Sequence, residues 1–391
     1  MSVKRSQLDV VLLCLTFYEF PAMPHMLYIA FKYLVVAYLF ARYIKVAKKD
    51  KAILVPAALY GAVTTISSII NQMALNTIVA SIVYSIQIVD IFLVSEDFIL
   101  KRKTADYIKI IFYVFLTILL CTDLLMLVVN YNFSDPNEEY FIGNKFVVSY
   151  LHCFVSALSF MVDSPQRKTV IVRRGNFKFK RLPQKILSFF FAVYSTLICL
   201  RVTCSTGAIC CICLIVMMVL PKRIKQLASN GKIMIISTVV MNFLLLGTYS
   251  ILNNQYFEYF VYNILGKSIT WIGRLRIWEN IFDLILKKPF WGYGYYNSMV
   301  IQVVGFGNAQ NAVLKFLLDG GILGLVTYAL LVWKSFKMPR YEEVNKSYPL
   351  IAFFYAMIVA SAVEINLTHM IVFLTMAITY CTEKIKERRV L

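Results

Sequence analysis

Apolar runs recur along the whole chain, and their lengths suit a lipid bilayer. Polar segments divide the sequence into twelve such runs, several of them close to 20 residues long. A helix needs about 17–25 predominantly apolar residues to cross the hydrocarbon layer. The pattern therefore predicts an all-α polytopic membrane protein with about twelve transmembrane helices. The predicted spans are residues 8–21, 26–42, 53–70, 75–95, 108–129, 146–163, 186–200, 206–220, 233–252, 311–333, 350–364 and 367–381.

The chain is predicted to form a single integral membrane domain over residues 1–391. Two long segments connect predicted spans within it. Residues 164–185 are rich in Lys and Arg and predict a basic cytoplasmic loop. Residues 253–310 are rich in aromatic residues and predict a large outward loop at the membrane interface, where Trp and Tyr concentrate. Helical spacing of apolar residues predicts an amphipathic helix over residues 274–286, on the outer membrane surface. Its predicted apolar stripe is Leu275, Trp278, Ile281, Phe282 and Ile285.

The distribution of charge gives the predicted helices an orientation. Hydrophobic residues make up 60% of the chain and charged residues 16%, yet the net charge is +19. With a cytoplasmic N-terminus, 31 of the 40 Lys and Arg residues fall inside or at the cytoplasmic ends of the spans, and 7 fall outside, as the positive-inside rule requires. Both termini are therefore predicted to be cytoplasmic, and the basic loops to contact anionic membrane lipid. This placement argues against nucleic acid as a partner.

Charged residues inside predicted spans are costly, so each is a candidate for function. Asn311, Lys315 and Asp319 follow one another at four-residue spacing and predict one polar stripe on a helix. Lys315 and Asp319 can pair along that stripe. Two interpretations stay open: a structural polar pair between helices, or a stripe that lines a water-filled outer cavity. The isolated charges, interpreted as packing or snorkelling residues, are Lys32, Asp90 and Asp123.

Three arginines are predicted on the outward side, where basic residues are otherwise scarce. Arg201 ends one span, and Arg274 and Arg276 open the amphipathic helix. Arginine presents a fixed fork of donors that matches phosphate oxygens, so a diphosphate is the ligand this set favours. Anchoring in lipid headgroups is the alternative. Spacing leaves the identity of a general base open among residues predicted on the same face, which are His25, His369, Glu258, Glu279, Asp283 and Glu364.

A group of cysteines is the one feature that suggests a metal site. Cys210, Cys211 and Cys213 lie within one predicted helix. A zinc site needs four ligands at suitable spacing, and no matching Cys or His set occurs elsewhere in the sequence. The cysteines are therefore interpreted as small polarizable packing residues, and no metal is predicted.

A glycine-aromatic turn is followed by a polar, glycine-paced helix in the last third of the chain. The residues of the first motif are Gly273, Arg274, Trp278, Pro289, Gly292 and Gly294. Those of the second are Asn311, Leu314, Leu317, Gly321 and Gly324. In this order, the motifs resemble the O-antigen ligase and polysaccharide polymerase (Wzy-type) superfamily. Three positions depart from the family: Gln310 stands in place of a His, Asp319 in place of a Glu, and Thr206 in place of an Arg.

The resemblance implies glycosyl transfer between lipid-linked glycans at the outer face of the bacterial cytoplasmic membrane. An acceptor hydroxyl attacks the anomeric carbon of an undecaprenyl-diphosphate-linked oligosaccharide, without nucleotide sugar, cofactor or metal. A polymerase of capsular or O-antigen repeat units is the first interpretation, and a ligase the second. A lipid-linked oligosaccharide flippase or other transporter is the alternative from another class. A chain-length regulator and a flippase are candidate partners.

The resemblance and the charge pattern together give a set of candidate site residues. Arg274 carries over from the family as the diphosphate ligand. The predicted catalytic residues are Arg274, Arg276, Arg201 and Glu279. The predicted substrate-binding residues are Gln310, Asn311, Lys315, Asp319, Trp278 and Tyr293. Because Gln310 cannot take a proton, the role of general base is either empty or taken by another residue, and Arg201 is predicted to compensate for Thr206.

Overall fold

The architecture was obtained as a computed structural model, and it is almost entirely helical. The structure describes residues 5–21, 23–48, 51–101, 103–133, 135, 138–162, 173–174, 177–178, 184–247, 270–339 and 347–387. Much of the basic segment 164–185 and the first part of the outward segment 253–310 lie outside these residues. The candidate base Glu258 lies outside them as well.

The helices follow the predicted spans closely. They are α1 (Arg5–Leu15), α2 (His25–Tyr43), α3 (Lys51–Ile70), α4 (Leu75–Leu100), α5 (Thr104–Val128), α6 (Lys145–Met161), α7 (Gln184–Arg201), α8 (Ser205–Val219), α9 (Lys222–Ala228), α10 (Gly231–Gly247), α11 (Thr270–Lys287), α12 (Met299–Val304), α13 (Ala312–Ser335), α14 (Tyr348–Ser361) and α15 (Met370–Glu387). Short 3-10 helices cover Ile44–Lys48 and Asn366–Thr368. Each predicted span overlaps one α-helix, so the all-α membrane fold is confirmed.

Not every helix is long enough to cross a bilayer by itself. Five are long and apolar enough among the described residues: His25–Ala47, Lys51–Ile70, Leu75–Leu100, Thr104–Val128 and Ala312–Ser335. Four further helices of 10–17 residues are apolar but shorter. The first predicted span, residues 8–21, is helical only as far as Leu15. Helix α1 has 11 residues and rises only about 16 Å, which is too short for about 30 Å of hydrocarbon.

Two groups of helices build the bundle. In one, α3 packs against α4 and α13, and α2 packs against α4. In the other, α8 packs against α14, and α6 packs against α7. Helices α15 and α10 each contact members of both groups, and one continuous core of buried side chains extends through them. Helices begin or end at or next to residues 144–145, 202–204, 311 and 362–369. These helix ends lie at the end of the bundle that the charge pattern predicts to face outward, called here the predicted outer end.

The outward segment carries the amphipathic helix that the sequence predicts, observed as α11. Trp278 and Ile281 face inward as predicted, but Phe282 is 45% exposed. The buried face is instead completed by Ile277 and Leu284. These residues form a second hydrophobic cluster with side chains of α12 and α13. The predicted stripe was wrong at Phe282 because the buried face of α11 is set by its contact with α13.

The strands among the described residues are two-residue pairs. Glu139–Tyr140 pairs antiparallel with Gly143–Asn144 at the start of α6, where the Asn144 side chain caps the helix. Arg173–Arg174 pairs antiparallel with Phe177–Lys178 within the basic segment. Neither hairpin was predicted, since two-residue strands leave no period in the sequence.

Candidate functional site

A polar cavity opens at the predicted outer end, between α2, α3, α4, α13 and the start of α15. Its volume is about 230 Å³. Charged, hydroxyl and aromatic groups from distant parts of the sequence share its wall. They are Phe17, Lys32, Tyr60, Thr64, Tyr84, Tyr295, Tyr296, Lys315, Asp319, Thr368 and His369.

An ion pair forms the charged side of the cavity. Lys315 Nζ lies 2.7 Å from Asp319 Oδ1, one turn along α13. Asn297 donates from Nδ2 to the same carboxylate oxygen at 2.9 Å. The predicted pairing along one helix face is confirmed, and both residues line the cavity. Of the two interpretations that the sequence left open, the structure therefore favours a cavity wall over a contact between two helices.

The Asn311 side chain does not line the cavity with Lys315 and Asp319. It is buried and caps α13, accepting the Leu314 backbone N–H at 3.0 Å. Its amide donates to Asn242 Oδ1 at 2.7 Å and to the Ala362 carbonyl at 3.1 Å. All these contacts are internal to the protein, so Asn311 joins α13 to α10 and α14.

The glycine-aromatic turn is docked on a kink in α13. At Gly321 the helix opens, with φ +61° and ψ −158°, which frees backbone groups for other partners. The freed carbonyls of Leu318 and Asp319 accept the N–H groups of Tyr293 at 2.6 Å and Gly294 at 3.1 Å. In return, Ile322 donates to the Pro289 carbonyl at 2.8 Å. The two sequence motifs are therefore two halves of one structural unit.

Helix α3 fastens the turn from its other side. Ser67 Oγ contacts the carbonyl of Trp291 and, at 2.8 Å, that of Asp319. Asn71 donates to the Gly292 carbonyl at 3.0 Å, and Lys288 donates to the Asn71 side chain. The site is thus held by hydrogen bonds between residues more than 200 positions apart in the sequence.

Ser67→Ala is expected to destabilise the protein by about 1–3 kcal/mol, since it removes a buried donor from two carbonyl groups. The measurement is the thermal unfolding of the detergent-solubilised protein. Ser81→Ala is the matched control, because the buried Ser81 hydroxyl contacts only a carbonyl of its own helix, that of Ile78. Equal losses in the two variants would contradict the fastening role of Ser67.

Trp278 and Tyr293, predicted to bind substrate, lie in the second hydrophobic cluster. Trp278 donates from its indole to the Ala309 carbonyl at 3.1 Å, and Tyr293 donates from its hydroxyl to the Leu284 carbonyl at 2.8 Å. They hold the outward segment together. The neighbouring Tyr295 and Tyr296 line the cavity instead. Burial raises the pKa of Tyr295 well above its usual value, so its hydroxyl keeps its proton there.

The predicted arginines occupy two places. Arg201 is exposed at the end of α7, with its guanidinium 5.1 Å from the Phe133 ring centroid, and it is not among the residues that line the cavity. Arg274, Arg276 and Glu279 lie in α11, and their side chains are outside what the structure describes. Gln310 is half-buried just before α13, with a left-handed φ of +49°.

The structure shows the surroundings of the three isolated charges, which residue spacing in the sequence did not predict. Lys32 lines the cavity. Asp90 is fully buried and does not snorkel. Asp123, interpreted from the sequence as an isolated charge, accepts a hydrogen bond from Tyr194 Oη at 2.8 Å and lies 3.1 Å from His152 Nε2. Asp123, His152 and Tyr194 lie on three different helices, so only the tertiary structure brings them together.

The comparisons with known proteins agree with the motifs. Residues 189–329 match the family model described as O-antigen ligase. This range includes α7, the docked turn and the kink of α13. A segment of 71 residues is 35% identical to a general O-oligosaccharyltransferase of Acinetobacter baylyi, covering 15% of this chain and 12% of that protein. The chain thus matches only a small part of that relative's length. Residues 189–329 of this chain are therefore similar to the O-antigen ligase family.

Proposed function

We propose that the protein polymerises lipid-linked oligosaccharide repeat units at the outer face of the bacterial cytoplasmic membrane. The donor is a glycan on undecaprenyl diphosphate, and the acceptor is the non-reducing sugar of a second repeat unit. The observation that carries the proposal is the cavity at the predicted outer end, where Lys315, Asp319 and Lys32 lie beside the docked turn.

Charge in the cavity suits a diphosphate leaving group. Negative charge develops on the diphosphate as the bond to the anomeric carbon breaks, and fixed cationic groups stabilise it. Among the described residues of the cavity wall, Lys32 and Lys315 are cationic and Asp319 is anionic, so the wall has net positive charge. The Asp319 carboxylate pairs with the Lys315 ammonium and accepts a hydrogen bond from Asn297. These contacts hold the two charged groups in a fixed arrangement.

Helical register favours Arg274 over Arg276 as the diphosphate ligand on α11. By helical spacing, position 274 shares a face with Ile277 and Ile281, three and seven residues further on, and these two pack in the second hydrophobic cluster. Position 276 shares a face with Asp283, whose side chain is exposed. We therefore place Arg274 with Lys32 and Lys315 in the donor site, and leave Arg276, Arg201 and Glu279 as predictions.

A ligase is the second candidate, because the matching family model is described as O-antigen ligase and the relative is an O-oligosaccharyltransferase. A ligase would move a finished glycan to another acceptor with the same donor chemistry. A flippase is less well supported, since it needs a cationic path through the membrane. The described cationic residues of the cavity all lie near the predicted outer end.

Deleting the gene and sizing the glycans in the cells separates these functions. Under the proposal, single repeat units reach the outside, and the ladder of longer lipid-linked chains is lost until the wild-type gene is restored. Long lipid-linked chains that never attach would contradict polymerisation and support the ligase. Repeat units trapped on the cytoplasmic side would contradict both and indicate a flippase. A flippase that supplies repeat units and a chain-length regulator are the partners we propose.

A further inference from the structure

The cavity contains one imidazole, and its surroundings differ from those of the other histidines. The chain has three histidines. His25 lies on the surface and pairs with Glu19. His152 is buried against Asp123 and Ser195, with nitrogen–oxygen distances of 3.1 and 3.3 Å. His369 lines the cavity beside Lys315 and Asp319.

The backbone holds His369 firmly at the entrance to α15. Its N–H donates to the Asn366 carbonyl at 3.1 Å, and its own carbonyl accepts the Val372 N–H at 2.9 Å. The ring lies edge-to-face with Tyr150, at a centroid distance of 5.7 Å and an interplanar angle of 82°. The imidazole is therefore positioned by packing, not by hydrogen bonds to its nitrogens.

Within the described part of the chain, no hydrogen bond engages the nitrogens of His369. Three other candidate groups are engaged by partners, chemically unsuited to take a proton or outside the cavity wall. The Asp319 carboxylate is engaged by Lys315 and Asn297. Gln310 carries an amide, which cannot take a proton at neutral pH. Glu364 is buried and is not among the residues that line the cavity. An imidazole at the cavity wall, with its nitrogens unengaged by the described residues, can accept a proton from a hydroxyl bound in the cavity.

We propose that His369 is the general base of the transfer reaction. The proposal rests on the proposed function and assigns the proton-accepting role that Gln310 cannot fill. The acceptor oxygen forms a bond to the anomeric carbon of the donor while its proton passes to a neutral nitrogen of His369. The bond from the anomeric carbon to the diphosphate oxygen breaks, and its electron pair leaves with the lipid diphosphate. The imidazolium then releases its proton to water.

His369→Gln tests the proposal in purified protein reconstituted with a lipid-diphosphate-linked oligosaccharide. General-base catalysis contributes about 10²–10⁴-fold, so we expect a loss of turnover of that size with the donor KM little changed. The matched control is His25→Gln, whose side chain lies on the surface, and it should transfer at the wild-type rate. Turnover of the His369 variant within a few-fold of wild type would overturn the proposal.

A pH profile separates catalysis from a structural role. A neutral imidazole is needed, so wild-type turnover should fall as the pH is lowered through one ionisation, and the His369 variant should lack that step. The ionisable groups that line the cavity or adjoin the imidazole, and so influence the step, are Lys32, Lys315, Asp319, Tyr60, Tyr84, Tyr150, Tyr295 and Tyr296. If the variant does not fold, the wild-type profile decides: turnover that does not fall at acidic pH, down to the lowest pH at which the protein stays folded, overturns the proposal.

Failure of this inference differs from failure of the proposed function. If wild-type protein forms no product from the lipid-linked donor, the proposed function is wrong. If the wild type and the His369 variant transfer equally, the function stands and the base is another group.

Discussion

Arg274→Ala is expected to lower glycan transfer by about 10²–10³-fold, the loss typical when one preorganised charge-stabilising donor is removed. The reason is that a diphosphate gains negative charge as it leaves, and arginine offers it a bidentate partner. The measurement is the rate of chain growth in membranes supplied with lipid-linked repeat units. In cells, the same variant should leave single repeat units and no ladder.

Lys287→Ala is the control for this experiment. Lys287 is exposed at the end of the same helix, so its removal also deletes one positive charge from α11. It should retain the wild-type ladder. If both variants lost the ladder equally, charge on the outward segment in general would be responsible, and the specific role of Arg274 would be contradicted.

Gly321→Ala is expected to disrupt the docked turn and, with it, the whole site. Its backbone has φ +61° and ψ −158°, a region open almost solely to glycine and costing other residues about 1–3 kcal/mol. A Cβ atom would also lie 2.3 Å from the Phe290 carbonyl group, so the turn must move away. We expect a lower unfolding temperature and loss of transfer, measured on the same purified sample.

Gly320→Ala provides a matched comparison one residue away. There the Cβ atom would lie 3.4 Å from a methyl group of Val63, an ordinary packing distance, and alanine favours a helix by up to about 1 kcal/mol. This variant should fold and transfer nearly as the wild type does. A similar loss in both variants would show that the kink at Gly321 has no special importance.

Local patterns in the sequence predict most of the helices correctly. The apolar runs give the positions of the bundle helices because burial in lipid or protein requires them. The four-residue spacing of Lys315 and Asp319 gives their ion pair, since neighbours on one helix face need no tertiary information. The glycines of the two motifs were predicted from the family resemblance, and the structure supplies the reason for two of them, Gly292 in the turn and Gly321 in α13.

Contacts between distant segments could not be read from local patterns. Lys32 and His369 reach the same cavity from opposite ends of the chain, and no periodicity relates them. Asn311 shares the spacing of Lys315 and Asp319 but points to α10 and α14 because it caps the helix. Phe282 fits an apolar stripe and yet is exposed. Which face of α11 is buried depends on the shape of α13.

Reconstitution of the purified protein in liposomes that contain undecaprenyl-diphosphate-linked repeat units, without nucleotide sugar, tests the central claim most directly. The account predicts chains of two or more repeat units, with one undecaprenyl diphosphate released for each linkage formed. Recovery of unchanged single units, under conditions where the protein is folded, would contradict it.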